Sequence, residues 1–322
     1  MLELDFAFLN MMAHNRQGLA ARKYFLDRLA PFLYSPRIEH LIYFGDLGVK
    51  GCNIFIPLGE GNFKQLEAGN RALMLGKSEV ILREYDINKL AADRSLKNTL
   101  AATRVEFPLF FGDQFINALA AVLVRQVLEL RDIKKLILIG DMPELMPLLE
   151  NLSAYQLPIS VQNINPTHSE TTAYQLLYAK GLAVTNSYIS PQSWKKDDLI
   201  MLFESRYKRM TMASPQRFYI ELTDDSQGLA PSLEMALSLA GLDNRLKTLA
   251  PILESCLYAQ AGISKTNTER KELDYCMLNN GEDVKMLIAR GDEMGIWEPF
   301  LFNRPAGFLD KGIGGLYNTI KD

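Results

Sequence analysis

The chain has 322 residues, enough for two domains or for one large domain with a cap. Apolar residues make up 48% and charged residues 23% with a net charge of −3, an ordinary globular composition that gives no basic surface for nucleic acid or an anionic membrane. The N-terminal stretch is acidic where a signal peptide is basic, no apolar run reaches the ~18 residues of a membrane span, and three cysteines without metal-site spacing argue against a disulfide framework and for a reducing cytoplasm.

In chain order, residues 6–9 read as a first strand and 17–32 as a helix, ended by Pro31, Ser35 and Pro36. Strands follow at 41–44 and 51–58, the second stopped by Pro57 and Gly59. A helix then runs from Asn62 or Phe63 to Leu75 with Gly76 at its end, and 80–83 reads as a strand. Residues 86–100 are weakly patterned, and 103–111 are extended around Pro108. Asp113 is a natural N-cap for the long apolar helix at 115–130.

The run IKKLILIGD at 133–141 has a charged entrance, four apolar residues and a Gly exit, the signature of a strand buried on both faces. A helix at 143–155, a strand at 159–164, a helix at 169–180 capped by Gly181, and strands at 182–187, 198–203 and 218–222 follow it. Strands alternating with helices at this spacing predict a parallel, doubly wound sheet with right-handed crossovers. Helices are expected at 231–239, 246–261 and 282–294, with a polar loop at 264–275 and a tail rich in Gly and Pro after 296.

Such sheets bind ligands at the carboxyl ends of their strands, so the loop Gly140-Asp141-Met142-Pro143-Glu144 is the first place for chemistry. A dinucleotide loop carries G-x-G-x-x-G, and here only Gly140 stands in that pattern. Asp141 and Glu144 place negative charge where a phosphate would arrive. Gln162 and Asn163 stand where an acidic ribose ligand is expected, and no Arg is close in sequence to hold a 2′-phosphate. A purely structural strand-to-helix turn is the competing reading.

The order of pieces resembles the predicted amino-acid dehydrogenases that include the long-chain acyl-(acyl carrier protein) reductases. The stretches that carry the resemblance are FAFLNMMAHNRQGLAARKY, GVKGCNIFIPLGEGNFKQLEAGNRALMLGKSEVIL, FGDQFINALAAVLVRQVLELRDIKKLILIG and EDVKMLIARGDEMGIWEPFL. The resemblance implies an α/β fold: a Rossmann-like doubly wound parallel sheet at 112–241, a smaller N-terminal α/β domain at 1–111, and C-terminal helices at 242–322 that pack back on it. It also implies an NAD(P) cofactor, held by Gly112, Asp113, Gly140, Asp141, Met142, Asn163, Thr223 and Asp224. The departures are Phe111-Gly112-Asp113 in place of Thr-Gly-Asn, and a G-x-x-G-x-x-G loop reduced to Gly140. No residue matches the cysteine nucleophile of the acyl reductases: Cys256 is predicted mid-helix, and Cys276 lies in a poorly patterned stretch.

Other strand ends offer polar groups. Thr223, Asp224, Asp225, Ser226 and Gln227 form a binding loop or a capped turn. Asn163, Asn165, Thr167 and His168 include a titratable imidazole, or else simply start a helix. Thr185, Asn186, Ser187 and Tyr188 could hold a sugar or carboxylate, Cys52 would need a cationic neighbour to react, and Arg206, Lys208 and Arg209 make a small basic cluster. Two functions are open, with a methyltransferase-like or other use of the same sheet as a weaker third. One is an NAD(P)-binding oxidoreductase-like protein with a small-molecule ligand in an interdomain cleft. The other is a non-catalytic Rossmann-fold protein that binds a small ligand or a protein partner, the apolar long helix being a candidate homodimer face.

Overall fold

A computed structural model describes residues 3–18, 22–101, 109–212, 218–226, 231–260, 280–301 and 317–318. The expected polar loop at 264–275, Cys276, Gln227 and most of the extended stretch at 103–111 lie outside these residues. The chain forms two compact units, 1–112 with 231–278, and 113–230 with 279–322.

The first unit holds a five-stranded sheet in the order β2-β3-β1-β4-β5. Its strands are β1 (Phe6–Met12), β2 (Arg37–Phe44), β3 (Val49–Gly59), β4 (Leu90–Ala92) and β5 (Leu109–Phe110). β1 pairs parallel with β3 and β4, β4 parallel with β5, and β2 antiparallel with β3. Alternation of side chains divides the sheet's two faces. Ala7, Leu9, Cys52, Ile54 and Ile56 pack with Leu26, Ala30, Met74, Leu75 and Leu82 of two helices, α1 (Lys23–Leu33) and α3 (Ala68–Glu84). Phe6 and Phe8 fall on the opposite face, and α10 (Leu246–Gln260) packs against β1, β4 and β5. Gly51 is the strand residue that lets the Phe6 ring lie flat here, since a Cβ on it would come 2.5 Å from that ring. A short helix α2 (Glu60–Gln65) follows β3, α4 (Lys97–Ala101) follows β4, and α9 (Pro231–Leu239) packs against β2.

Three expectations change here. Pro31 lies inside α1 rather than ending it. A proline removes one helical N–H and frees the carbonyl four residues back, and that carbonyl, of Asp27, accepts from Asn70 Nδ2 at 2.8 Å instead. Gly76 does not end a helix: α3 runs through it to Glu84, because an interior glycine costs only about 1 kcal/mol. The expected strand at 80–83 is therefore the last turns of α3, a short apolar run whose period alone does not separate helix from strand.

The second unit is a six-stranded sheet in the order β11-β10-β9-β6-β7-β8. Its strands are β6 (Lys135–Ile139), β7 (Ile159–Asn163), β8 (Val184–Tyr188), β9 (Asp198–Leu202), β10 (Phe218–Glu221) and β11 (Tyr317–Asn318). Numbered from its own first strand the order is 6-5-4-1-2-3, with the first five parallel and β11 antiparallel on β10. This is the doubly wound Rossmann arrangement, and its direction reverses between β6 and β9. The α/β fold read from the sequence is thus present.

Ile137, Ile139, Ile200, Leu202 and Tyr219 pack with Trp194 and Tyr207 on one face of this sheet. The helices are α5 (Asp113–Leu130), α6 (Leu145–Ser153), α7 (Thr167–Lys180), α8 (Lys208–Met212) and α11 (Asn280–Met294). α5 is buried nearly all round and packs against α6 and α11. Asp113 is its first helical residue. Gly181 caps α7 in the left-handed region (φ 67°), with nested bonds from Gly181 and Leu182 back to Leu177 and Leu176.

Candidate functional site

The switch point of the second unit lies outside the carboxyl ends of β6 and β9. Gly140 leaves β6 at φ +100°, a conformation that glycine takes freely. Glu204, two residues after β9, turns its side chain over this glycine. A Cβ on Gly140 would meet Glu204 Cγ at 3.0 Å and its Cβ and Oε2 at 3.1 Å. The backbone N–H of Asp141 donates to Glu204 Oε2 at 3.2 Å. In a dinucleotide site this turn is where backbone approaches and hydrogen-bonds a pyrophosphate. Here a carboxylate of the same chain takes that donor.

The carboxylate is itself held. Arg206 donates to Glu204 Oε2 from Nε at 3.1 Å and from a terminal nitrogen at 2.8 Å, and reaches Asp141 Oδ2 at 3.4 Å. The Glu204 hydrogen bond raises the Arg206 pKa, so the guanidinium stays charged. Asn163, the last residue of β7, donates to Asp141 Oδ1 and accepts from Tyr207 at 3.2 Å. Asp141, Asn163, Tyr207, Glu204 and Arg206 therefore form one network across three strand ends. Asp141 and Arg206 are more than half exposed and Glu204 a quarter, so each ion pair alone contributes at most about 1 kcal/mol. Their importance is in occupying the turn.

The helix after the turn also departs from expectation. Pro143 does not start it: α6 begins at Leu145, behind Glu144 in the left-handed region (φ 45°). The Glu144 side chain gives no cap and instead accepts a close hydrogen bond from Gln114 of α5. Gln162 stands near the ribose position, but its Oε1 accepts from Trp194 Nε1 at 2.8 Å and from the Ser190 N–H at 3.3 Å. An NAD(P) molecule in the ordinary pose thus meets a filled phosphate turn, three carboxylates around it, and an amide already committed at the ribose position. The residues present do not fit that cofactor.

The remaining predicted residues take other places. Met142 is half-buried in the turn. Gly112 ends the first unit at φ +78°, where a Cβ would lie 2.6 Å from backbone atoms of Ala250 and Pro251, so close helix packing demands glycine there. Asp113 opens α5 and is buried. Thr223 is buried after β10, with its hydroxyl on Glu221 Oε1 and its N–H donating to Ser226. Asp224 is exposed, and Asp225 accepts from Ser205 at 2.8 Å. His168 sits in the first turn of α7 against Asn165, and Asn186 binds Ser169 and the Pro166 carbonyl, so these strand ends fasten a helix start. Cys52 is buried, and burial pushes its thiol up to about 12; Cys256 is raised in the same way. Neither is a poised nucleophile.

The first unit carries a cavity of about 410 Å³ at the carboxyl ends of β1, β3 and β4. Asn10, Met11 and Met12 of β1, Glu60 at the start of α2, Asp93 after β4, Asp243 just before α10 and Lys247 in its first turn are among the residues that line it. No group of three or more His, Cys, Asp or Glu that could hold a metal is present among the described residues. Sequence reasoning passed over Glu204, Asn10 and Asp93. Glu204 and Asp93 each follow a strand directly or within two residues, and strand order, which brings β9 beside β6 and β4 beside β1, gives them their meaning.

The chain matches no known protein family and no curated protein. Among solved structures it is similar to L-tryptophan dehydrogenase from Nostoc punctiforme, at 12% identity over 90% of this chain and 82% of that one, TM-score 0.35. It is also similar to a chorismate mutase/shikimate 5-dehydrogenase fusion protein from Clostridium acetobutylicum, at 11% identity over 91% and 100%, TM-score 0.34. A third is the ligand-free form of 5-ketofructose reductase of Gluconobacter sp. strain CHM43, at 10% identity over 88% and 97%, TM-score 0.36. Likeness at this level says nothing of chemistry.

Proposed function

We propose that this is a Rossmann-fold small-molecule-binding protein that does not take a nicotinamide dinucleotide at its switch point. The observation that carries the reading is the Glu204 carboxylate on the Asp141 N–H, packed over Gly140. A carboxylate is a fair mimic of a phosphate oxygen: it is anionic, accepts from the same backbone donor and is neutralised by the same kind of guanidinium. A pyrophosphate would have to displace it and settle beside Asp141 as well, at a cost in charge repulsion. The ligand site in this reading is the first unit's cavity, which lies at the carboxyl ends of parallel strands and has a volume in the small-molecule range of roughly 300–1,000 Å³.

Thermal unfolding with NAD, NADH, NADP and NADPH at millimolar concentration tests this. Ligand at about 100 times its dissociation constant adds about 2.7 kcal/mol to stability, a plain midpoint shift. The reading expects no shift with any of the four; a shift with one of them overturns it.

A further inference from the structure

An apolar surface of the first unit stays open to water at the edge of its sheet. Leu26 and Ala30 turn α1 inward, onto a core with Cys52, Ile54 and Ile56 of β3. Asp27 and Pro31 lie to one side of them and hold α3: Asp27 Oδ1 accepts from the Glu67 N–H at 2.7 Å, and the Pro31 carbonyl accepts from Lys77. Phe25, Leu29, Phe32 and Leu33 recur three and four residues apart and fall on the outer and opposite sides of the helix. All four are exposed, Phe32 by 78% and Leu33 by 62%. α1 joins β1 to β2, whereas α2 and α3 join β3 to β4, so the side of α1 away from α3 is the side toward β2, the edge strand.

β2 is also apolar where an open strand is ordinarily polar. Leu41 pairs with Cys52 and Tyr43 with Lys50, and paired residues of antiparallel strands share a face. Cys52 faces α1, so Leu41 and Tyr43 do too, and they are 55% and 58% exposed. An antiparallel strand with one face in water carries polar residues on that face. In β2 the alternate residues Ile42 and Phe44 are buried on the other side, and apolar residues stand on both. α1 thus forms a ridge about 10–12 Å thick beside a recessed strip of open sheet.

The six exposed side chains of ridge and strip leave about 600 Å² of apolar surface in water, taking about 150–250 Å² for a whole aromatic side chain and somewhat less for a leucine. That is the upper end of the largest patch on a typical monomer, about 300–600 Å². A standard interface takes about 800 Å² from each partner, a little over half of it apolar, so this surface supplies the apolar share of one. The shape selects the occupant. The strip takes an apolar helix face, and α1 is such a face with nowhere to dock. A two-fold axis satisfies both needs at once, each ridge covering the other copy's strip. A bilayer would meet the ridge and leave Leu41 and Tyr43 uncovered.

We propose that the chain forms a two-fold homodimer through its first unit, with α1 of each copy packed over Leu41 and Tyr43 of the other. The dimer does not depend on what the cavity or the switch point binds.

Sedimentation equilibrium of the full chain at micromolar concentration is expected to give twice the mass of one chain. Phe32→Glu and Leu41→Arg each put a charge into the contact at a side chain already more than half exposed. Each should keep the native far-UV circular dichroism and weaken association at least tenfold. Tyr178→Glu, at an 85% exposed tyrosine of the second unit, should leave the dimer intact. The melting temperature should rise with concentration for the native chain and much less for the two contact variants. A native chain that stays monomeric overturns the proposal, whether or not it floats with phosphatidylserine vesicles. So does a dimer that survives both contact variants, or one that Tyr178→Glu abolishes.

Discussion

Placing Glu204 over Gly140 makes the two residues energetically dependent on each other, and a double-mutant cycle measures that dependence. Gly140→Ala puts a side chain at φ +100°, which costs about 1–3 kcal/mol in backbone strain whatever surrounds it. It also drives a Cβ to 3.0–3.1 Å from three atoms of Glu204, an overpacking term of about 1–2 kcal/mol. Glu204→Ala deletes two of those atoms, Cγ and Oε2, and keeps Cβ. Gly140→Ala should therefore destabilise the native background by about 2–5 kcal/mol and the Glu204→Ala background by about 0.5–1.5 kcal/mol less. Trp194 and Trp297, the only two tryptophans, both lie buried in the second unit. Urea unfolding followed by tryptophan fluorescence therefore reports the unit in question. Additivity within about 0.3 kcal/mol would show that Glu204 does not rest on Gly140 and would refute the reasoning.

Gly112→Ala should be among the most damaging single changes in the first unit. A left-handed φ and a 2.6 Å approach to the Ala250 and Pro251 backbone leave no soft neighbour to yield, so a loss of 3 kcal/mol or more by about the same reckoning is expected in urea unfolding. In a Cys276→Ser background, Cys52 and Cys256 should ignore a disulfide reagent at pH 8 in the native protein and both react once it is unfolded. Burial raises the folded thiol of Cys52 from its ordinary value near 9 to about 12. The folded state therefore favours the protonated thiol, and its contribution is whole below pH 9 and lost as pH rises toward 12. The stability difference between native protein and Cys52→Ala should shrink over that window. Arg125 and Asp292 make a paired contact at 2.9 and 3.3 Å with both side chains over two-fifths exposed, so Arg125→Ala should cost no more than about 1 kcal/mol and less in high salt.

Much of the second unit was legible because its strands announce themselves. Residues 136–139, between two lysines and a glycine, can hardly be other than a buried strand, and the alternation that follows fixes a parallel sheet. The run 80–83 was not legible: three β-branched or leucine residues in a row fit both periods, and only continuity with α3 decides. The turn at Gly140 was half legible. Its missing glycines and its acids, Asp141 and Glu144, stood in the sequence, but the residue that fills it lies sixty-odd positions away. In the sequence Arg206 reads only as part of a small basic cluster, whereas it bridges Glu204 and Asp141. Only the strand order, which sets β9 beside β6, turns a Glu and an Arg after the fourth strand into a plug for the first. The cavity was less legible still, since Asn10 and Asp93 carry no spacing signal and come to line one cavity through parallel pairing of β1 with β4.

The most direct test of the account is a crystal structure of the protein grown with millimolar NADPH. The account predicts the Glu204 carboxylate within hydrogen-bonding distance of the Asp141 N–H, Arg206 upon it, and no pyrophosphate over Gly140. Pyrophosphate density on that turn, with Glu204 swung aside, would contradict it.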